Sequence, residues 1–150
     1  MSQVESQSIE VTTDRSRLDL DVIHGFLTRS YWAQGIPRET VARSIEHSLC
    51  FGAFDEDRQV GFARVISDRA TFAYICDVFA LESHRGGGVG KRLMAAIMSH
   101  PELQGLRRWT LFTRDAHGLY RQYGFGMPGH PERLMEVVDS DPYDSDSCNG

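Results

Sequence analysis

From residue 85 to residue 91 the chain reads Arg-Gly-Gly-Gly-Val-Gly-Lys. Glycine lacks a Cβ, so a ligand can approach the main chain closely there. An almost wholly apolar stretch, residues 72–81, precedes the run, and a helical periodicity follows it. Backbone N–H groups at a helix start have no intrahelical partner, and the helix dipole favours an anion beside them. Arg85, Gly86, Gly87, Gly88, Val89, Gly90 and Lys91 therefore have the makings of a pyrophosphate cradle. Four glycines in five positions carry an entropy cost that a mere connector does not need. Gly90-Lys91 is followed by Arg92 rather than Ser or Thr, which argues against a P-loop. A Rossmann loop would follow the first strand, and this one lies past the middle of the chain.

Asp77 is the only charge between residues 72 and 81. A carboxylate in an apolar strand is costly unless it is paired or exposed at a bulge. Two readings stand. Burial that favours its protonated form would suit it to take a proton from an ammonium or an ordered water. Alternatively it forms a structural salt bridge, to Arg64 or Arg114. The three cysteines, Cys50, Cys76 and Cys148, are widely spaced and form no CxxC. Neither a disulfide framework nor a metal site is expected, and Cys50 and Cys76 read as small core residues.

At 150 residues, 41% hydrophobic and 25% charged, the composition is that of one ordinary globular domain. No apolar run reaches the roughly 20 residues that span a bilayer. Residues 1–8 are polar, so no secretory leader is expected, and a cytoplasmic location is the default. The formal charge of −5 owes much to Asp139, Asp141, Asp144 and Asp146. The rest of the chain is close to neutral, and no basic stripe points to nucleic acid.

The elements that must carry these residues follow from periodicity and breakers. Residues 8–13 form a short strand. Leu18, Val22, Ile23, Phe26, Leu27 and Tyr31 give a helical face over residues 18–32, which Gly35-Ile36-Pro37 breaks. Pro37 opens a second helix carrying Val41, Ile45 and Leu49. Residues 49–54 and 59–67 make a hairpin about Asp55-Glu56-Asp57-Arg58. Residues 71–81 are too apolar for an edge strand. A helix over 89–100, ended by Pro101, buries Leu93, Met94, Ile97 and Met98. A strand over 108–113 and a helix over 116–123 follow. Gly124 stops that helix. Residues 134–138 read as a last strand, residues 1–7 as disordered, and 139–150 as an acidic, disordered tail. The fold class is mixed α/β: one domain over residues 1–138, built on a mostly antiparallel sheet of six to seven strands with helices on both faces. The exposed last strand could pair between two copies as a homodimer.

Two stretches resemble a known family. Residues 85–90 match the R/Q-x-x-G-x-G/A motif of the GNAT superfamily of acetyl-CoA-dependent N-acetyltransferases. Residues 116–125 are similar to that family's A-x-x-L-Y-x-x-x-G-F helix, and Cys76-Asp77-Val78-Phe79-Ala80-Leu81 to the strand before the glycine motif. The resemblance is close over residues 49–138 and rests on element order alone before that. It implies acetyl-CoA in a cleft where two central strands splay apart. Phe79, Ala80 and Leu81 would line the cofactor, with backbone groups of Phe79 and Leu81 pairing with pantetheine. Residues 86–91 would hold the pyrophosphate and Arg85 would add a charged hydrogen bond. Where the family often has Asn, this chain has Thr113, which would remake or lose a pantetheine contact. Tyr120 would protonate the departing thiolate; its competing reading is a core tyrosine. Tyr31, Trp32 and Asp77 would meet the acceptor; the competing reading of the two aromatics is as caps on the core. The implied activity is direct acetyl transfer to a primary amine of a small molecule in a ternary complex, a backbone N–H near Phe79 polarising the carbonyl. A protein amine as acceptor and a non-catalytic acyl-CoA-binding module are the alternatives. His24, His84 and His117 read as structural or surface histidines, and Arg107-Arg108 as a solvated pair.

Overall fold

The computed structural model describes residues 8–143. Residues 1–7, Cys148 and the end of the acidic tail lie outside them. Five strands form one sheet: β1 (Ile9–Thr12), β2 (Leu49–Asp55), β3 (Arg58–Ser67), β4 (Phe72–Ala80) and β5 (Arg108–Leu111). They lie in sequence order. The first three pairings are antiparallel and β4–β5 is parallel. The helices are α1 (Leu20–Leu27), α2 (Arg38–Glu46), α3 (Val89–Ser99) and α4 (His117–Arg121). No helix among the described residues is long and apolar enough to cross a membrane.

Successive strand residues point to opposite faces, and the two faces carry separate cores. Phe51, Val60, Val65 and Ile75 pack against Val89, Leu93, Met94 and Ile97 of α3, with Tyr120 joining from α4. On the other face Cys50, Phe62 and Phe79 pack against Ile23 and Leu27 of α1 and Val41 and Ile45 of α2. Helices on both faces of a largely antiparallel sheet are as expected.

Two expectations are corrected. The sheet has five strands, not six or seven. Residues 134–139 belong to no helix or strand, because a strand exists only where a ladder partner satisfies its backbone, and β5 ends the sheet without them. Helix α1 stops at Leu27 rather than continuing to Trp32. Ser30 ends it: its hydroxyl donates to Leu27 O at 2.7 Å and accepts from Ala33 N at 3.0 Å. Tyr31 and Trp32 therefore stand in a turn, 51% and 41% exposed.

Two irregularities in β4 open the site. β4 and β5 pair only from Phe72↔Arg108 to Ile75↔Leu111, while β4 runs on to Ala80. Between Cys76, opposite Arg64, and Phe79, opposite Phe62, β4 carries one extra residue. That is a bulge, and Asp77 within it has φ 55°, a left-handed conformation that Asp tolerates better than most residues. The parted strands and the turn after α1 enclose a cavity of about 1050 Å³.

Candidate active site

The glycine run is bent as an anion cradle needs. Gly86 and Gly88 have φ 80° and 84°. A Cβ on either would meet nothing within 4 Å, so glycine is required for backbone angle rather than space. Gly88 is the N-cap of α3, and no side chain caps that helix. The first-turn N–H groups of Val89, Gly90 and Lys91 are thus left for an anion. The Gly87 N–H is engaged, donating to His84 O at 3.3 Å. His84 is itself held: its Nδ1 lies 2.8 Å from Ser83 Oγ and its Nε2 3.0 Å from Asp55 Oδ2. This histidine braces the cradle's entrance instead of standing free on the surface.

Beneath the cradle, Val89 is buried against β3. A Cβ on Gly61 would sit 2.6 Å from Val89 Cγ1 and 3.1 Å from Phe79 O. Gly61 is therefore what lets α3 start this close to the sheet. Gly61→Ala should overpack that contact, costing about 1 kcal/mol, and push the cradle outward. Thermal melts should show a lowered Tm, and calorimetry a weaker affinity for coenzyme A.

The backbone of β4 redirects one expectation. The Leu81 N–H donates to Val60 O at 2.8 Å and its carbonyl accepts from His84 N at 2.8 Å. The Phe79 carbonyl faces Gly61. Both residues turn their peptide groups toward β3, so neither offers its N–H to the cleft. Backbone direction alternates along a strand, and Ala80, between them, presents its N–H and C=O to the open side. Val78, in the bulge, has no register partner in β3. Phe79 contributes its ring, stacked on Phe26 at 4.0 Å between centroids. Thr113 lines the cleft from the β5 side, its hydroxyl accepting from Ala116 N at 3.0 Å and so helping to start α4. Arg85 also lines the cavity, whereas Lys91 is exposed.

Tyr120 reaches the same cavity from α4, with the rest of its ring buried in the α3-side core. Burial, with Tyr31 and Asp115 nearby, raises its phenol above the ordinary value near 10. Such a phenol stays protonated at neutral pH. Tyr123 Oη donates to Lys91 O at 3.0 Å and ties α4 to α3.

Asp77 is paired on both oxygens. Trp32 Nε1 donates to Oδ1 at 2.8 Å and Arg64 Nε to Oδ2 at 2.9 Å. Arg64 also donates to Ser48 Oγ at 3.1 Å. Of the two arginines considered, Arg64 makes the bridge. Arg114 instead lies over the Tyr31 ring, 3.7 Å from Cζ to centroid. That contact joins the β5–α4 loop to the turn after α1, two walls of the cavity. Tyr74 and Phe112, 6.0 Å apart edge to face, extend the aromatic lining. Burial pushes the Cys50 thiol up to about 11 and the cavity-lining Cys76 thiol up to about 12. Neither thiol is a ready nucleophile. His24 Nε2 lies 3.0 Å from Ile36 O, a structural contact, and His117 is exposed. No cluster of metal-ligating side chains occurs among the described residues.

The model of the GNAT acetyltransferase family matches residues 19–125. The chain belongs to the GNAT family. A solved structure from Xanthomonas campestris pv. campestris, described as a GNAT-family acetyltransferase, is 55% identical and superposes with a TM-score of 0.89, covering 91% of this chain and 97% of that one. A Gibberella zeae protein assigned as an acetyltransferase is 31% identical over 145 residues, 81% of this chain and 80% of its own length. Serotonin N-acetyltransferase 2, chloroplastic, of Oryza sativa subsp. japonica is 31% identical over 122 residues, 75% of this chain. This chain spans only 60% of that rice protein. GNAT proteins use acetyl-CoA, and the cradle and cleft suit it: an uncapped helix start for a diphosphate, and an open strand edge for an amide-bearing arm.

Several residues of this GNAT site escaped the sequence. Gly61 carried a usable signal, because a lone glycine inside an apolar strand marks a close approach. The Arg114–Tyr31 contact and the His84 brace carried none, since each joins segments far apart in the chain.

Proposed function

We propose that this GNAT protein transfers an acetyl group from acetyl-CoA to a primary amine of a small molecule, by direct attack in a ternary complex. The observation that carries this reading is one cavity that holds an open β4 edge and a protonated Tyr120 and is lined by Arg85, the residue that leads into the uncapped glycine cradle. When bound, acetyl-CoA supplies an activated acyl thioester. The first-turn N–H groups of α3 and Arg85 hold its diphosphate, and the Ala80 peptide pairs with pantetheine. The Val78 N–H polarises the acyl carbonyl. Tyr120 keeps a proton on its phenol oxygen for the leaving sulfur. Asp77 holds Trp32 and the bulge in place, so the acceptor meets an aromatic wall of Tyr31, Trp32, Tyr74 and Phe112.

That wall favours an amine attached to an aromatic or apolar group. The name of the rice relative is consistent with an arylalkylamine. We also propose a cytoplasmic location, where the free Cys50 and Cys76 stay reduced. A coenzyme A-release screen over polyamines, amino acids, arylalkylamines and a lysine peptide tests the assignment. Arylalkylamines should be turned over best. Acetyl-CoA binding without turnover of any amine would favour the non-catalytic module.

A further inference from the structure

We infer that Arg114 is a specificity-determining residue of the acceptor site: its guanidinium covers the face of Tyr31 that receives the acceptor's ammonium, and gives that face up when an acceptor enters. The inference rests on the acceptor reading of the cavity. Arg114 lies on the loop between β5 and α4, Tyr31 lies on the turn after α1, and both line the cavity. The guanidinium carbon is 3.7 Å from the centre of the Tyr31 ring. Among the described residues the Arg114 side chain makes no hydrogen bond and no ion pair, so the ring is what holds it.

The surface under that guanidinium suits an ammonium equally well. Tyr31 and Trp32 meet edge to face, 5.1 Å between centroids and 80° between planes, and so form an aromatic corner. The negative faces of such rings attract cations, quaternary ammonium groups included. The corner is fixed in place: Trp32 Nε1 donates to Asp77 Oδ1 at 2.8 Å, and Arg64 holds the other carboxylate oxygen. It also lies near the reacting end of the cleft. After burial, the nearness of Tyr31 is what most raises the Tyr120 phenol. An alkylamine reaches the cleft as a cation at neutral pH. It therefore meets a cation-binding face that already carries one.

Arg114 is able to yield. It is exposed, and so is Tyr31. A cation on an exposed ring is held weakly. Arg64, bonded to both Asp77 and Ser48, has no such freedom. A contact of this strength covers the ring most of the time and lowers the apparent affinity of a competing cation by about two- to fivefold. A second positive group on the acceptor would remain beside the displaced guanidinium and be repelled by it. The site thus selects an amine with one positive charge on an otherwise uncharged aromatic or apolar body.

Calorimetry on the full chain with coenzyme A present tests this, using benzyltrimethylammonium, a cation that cannot be acetylated. Arg114→Gln should lower its dissociation constant about two- to fivefold and leave that of benzyl alcohol, its neutral counterpart, unchanged. The dication hexamethonium should gain more from the same substitution. Tyr31→Leu should weaken the benzyl cation, and Arg114→Gln should add nothing on that background, as for two residues acting through one contact. Both side chains are exposed, so circular dichroism should show an unchanged fold. Equal binding of the benzyl cation to wild type and Arg114→Gln, or binding to neither, overturns the proposal. An equal gain for benzyl alcohol overturns it too, since Arg114 would then be a steric plug, as does a dication that gains no more than the monocation. Should these shifts hold while no amine is turned over, acetyl transfer falls and the cation site stands.

Discussion

Replacing Tyr120 by phenylalanine lowers kcat by roughly 10²- to 10⁴-fold, the usual worth of a positioned general acid. Affinity for acetyl-CoA stays unchanged, because the cradle lies on α3 and the Ala80 peptide on β4. Stability changes little, since the ring keeps its place in the α3-side core and only its hydroxyl goes. The wild-type pH profile carries a second signature. Burial raises the phenol above its ordinary value, so an alkaline fall in kcat from loss of this proton lies above about pH 10. A variant with full turnover would return Tyr120 to the core tyrosine it also resembles.

Asp77→Ala has the next largest effect. It leaves the Arg64 guanidinium and the Trp32 indole without their carboxylate partner, in side chains only 17% and 10% exposed for Arg64 and Asp77. Losing hydrogen bonds between charged groups costs roughly 1.5–3 kcal/mol, or several degrees in Tm for a domain of this size. Alanine also tolerates the left-handed angle at the bulge less well than Asp. Asp77→Asn separates roles. It keeps an acceptor for Trp32 Nε1 and the backbone preference, and removes the charge facing Arg64. With Asp77 as a positioning residue, Asp77→Asn lowers Tm and raises KM for the amine while the pH profile of kcat keeps its shape. If Asp77 takes the proton from the attacking amine, kcat itself falls steeply instead.

The parts of this fold legible in the sequence are those fixed by local physics. The cradle was readable because positive φ at Gly86 and Gly88 demands glycine whatever surrounds it. α4 was readable from Ala116, Leu119, Tyr120 and Tyr123 at helical spacing and from Gly124 as its stop, which indeed has φ 95°. The hairpin and the long apolar β4 followed from composition. What failed depended on partners. Residues 134–138 have strand chemistry, but a strand needs a neighbour, and no residue type announces whether the neighbour is in the same molecule. Tyr31 continues the apolar spacing of α1, yet Ser30 turns the chain first and sends Tyr31 and Trp32 to the cleft. The direction of the β4 peptides at Phe79 and Leu81 is not legible in the sequence, because one residue of register decides which edge a peptide faces, and the bulge at Asp77 is set by pairing with β3.

Calorimetric titration of acetyl-CoA into the full chain tests the central claim most directly. One saturable site per chain is expected, with affinity between about 1 µM and 1 mM, the span of ordinary enzyme substrates. Gly88→Val, which forces a β-branched residue into a left-handed angle, should weaken it markedly. Absence of saturable binding to the wild type, or undiminished binding to Gly88→Val, would contradict the assignment of the α3 N-terminus as the diphosphate cradle.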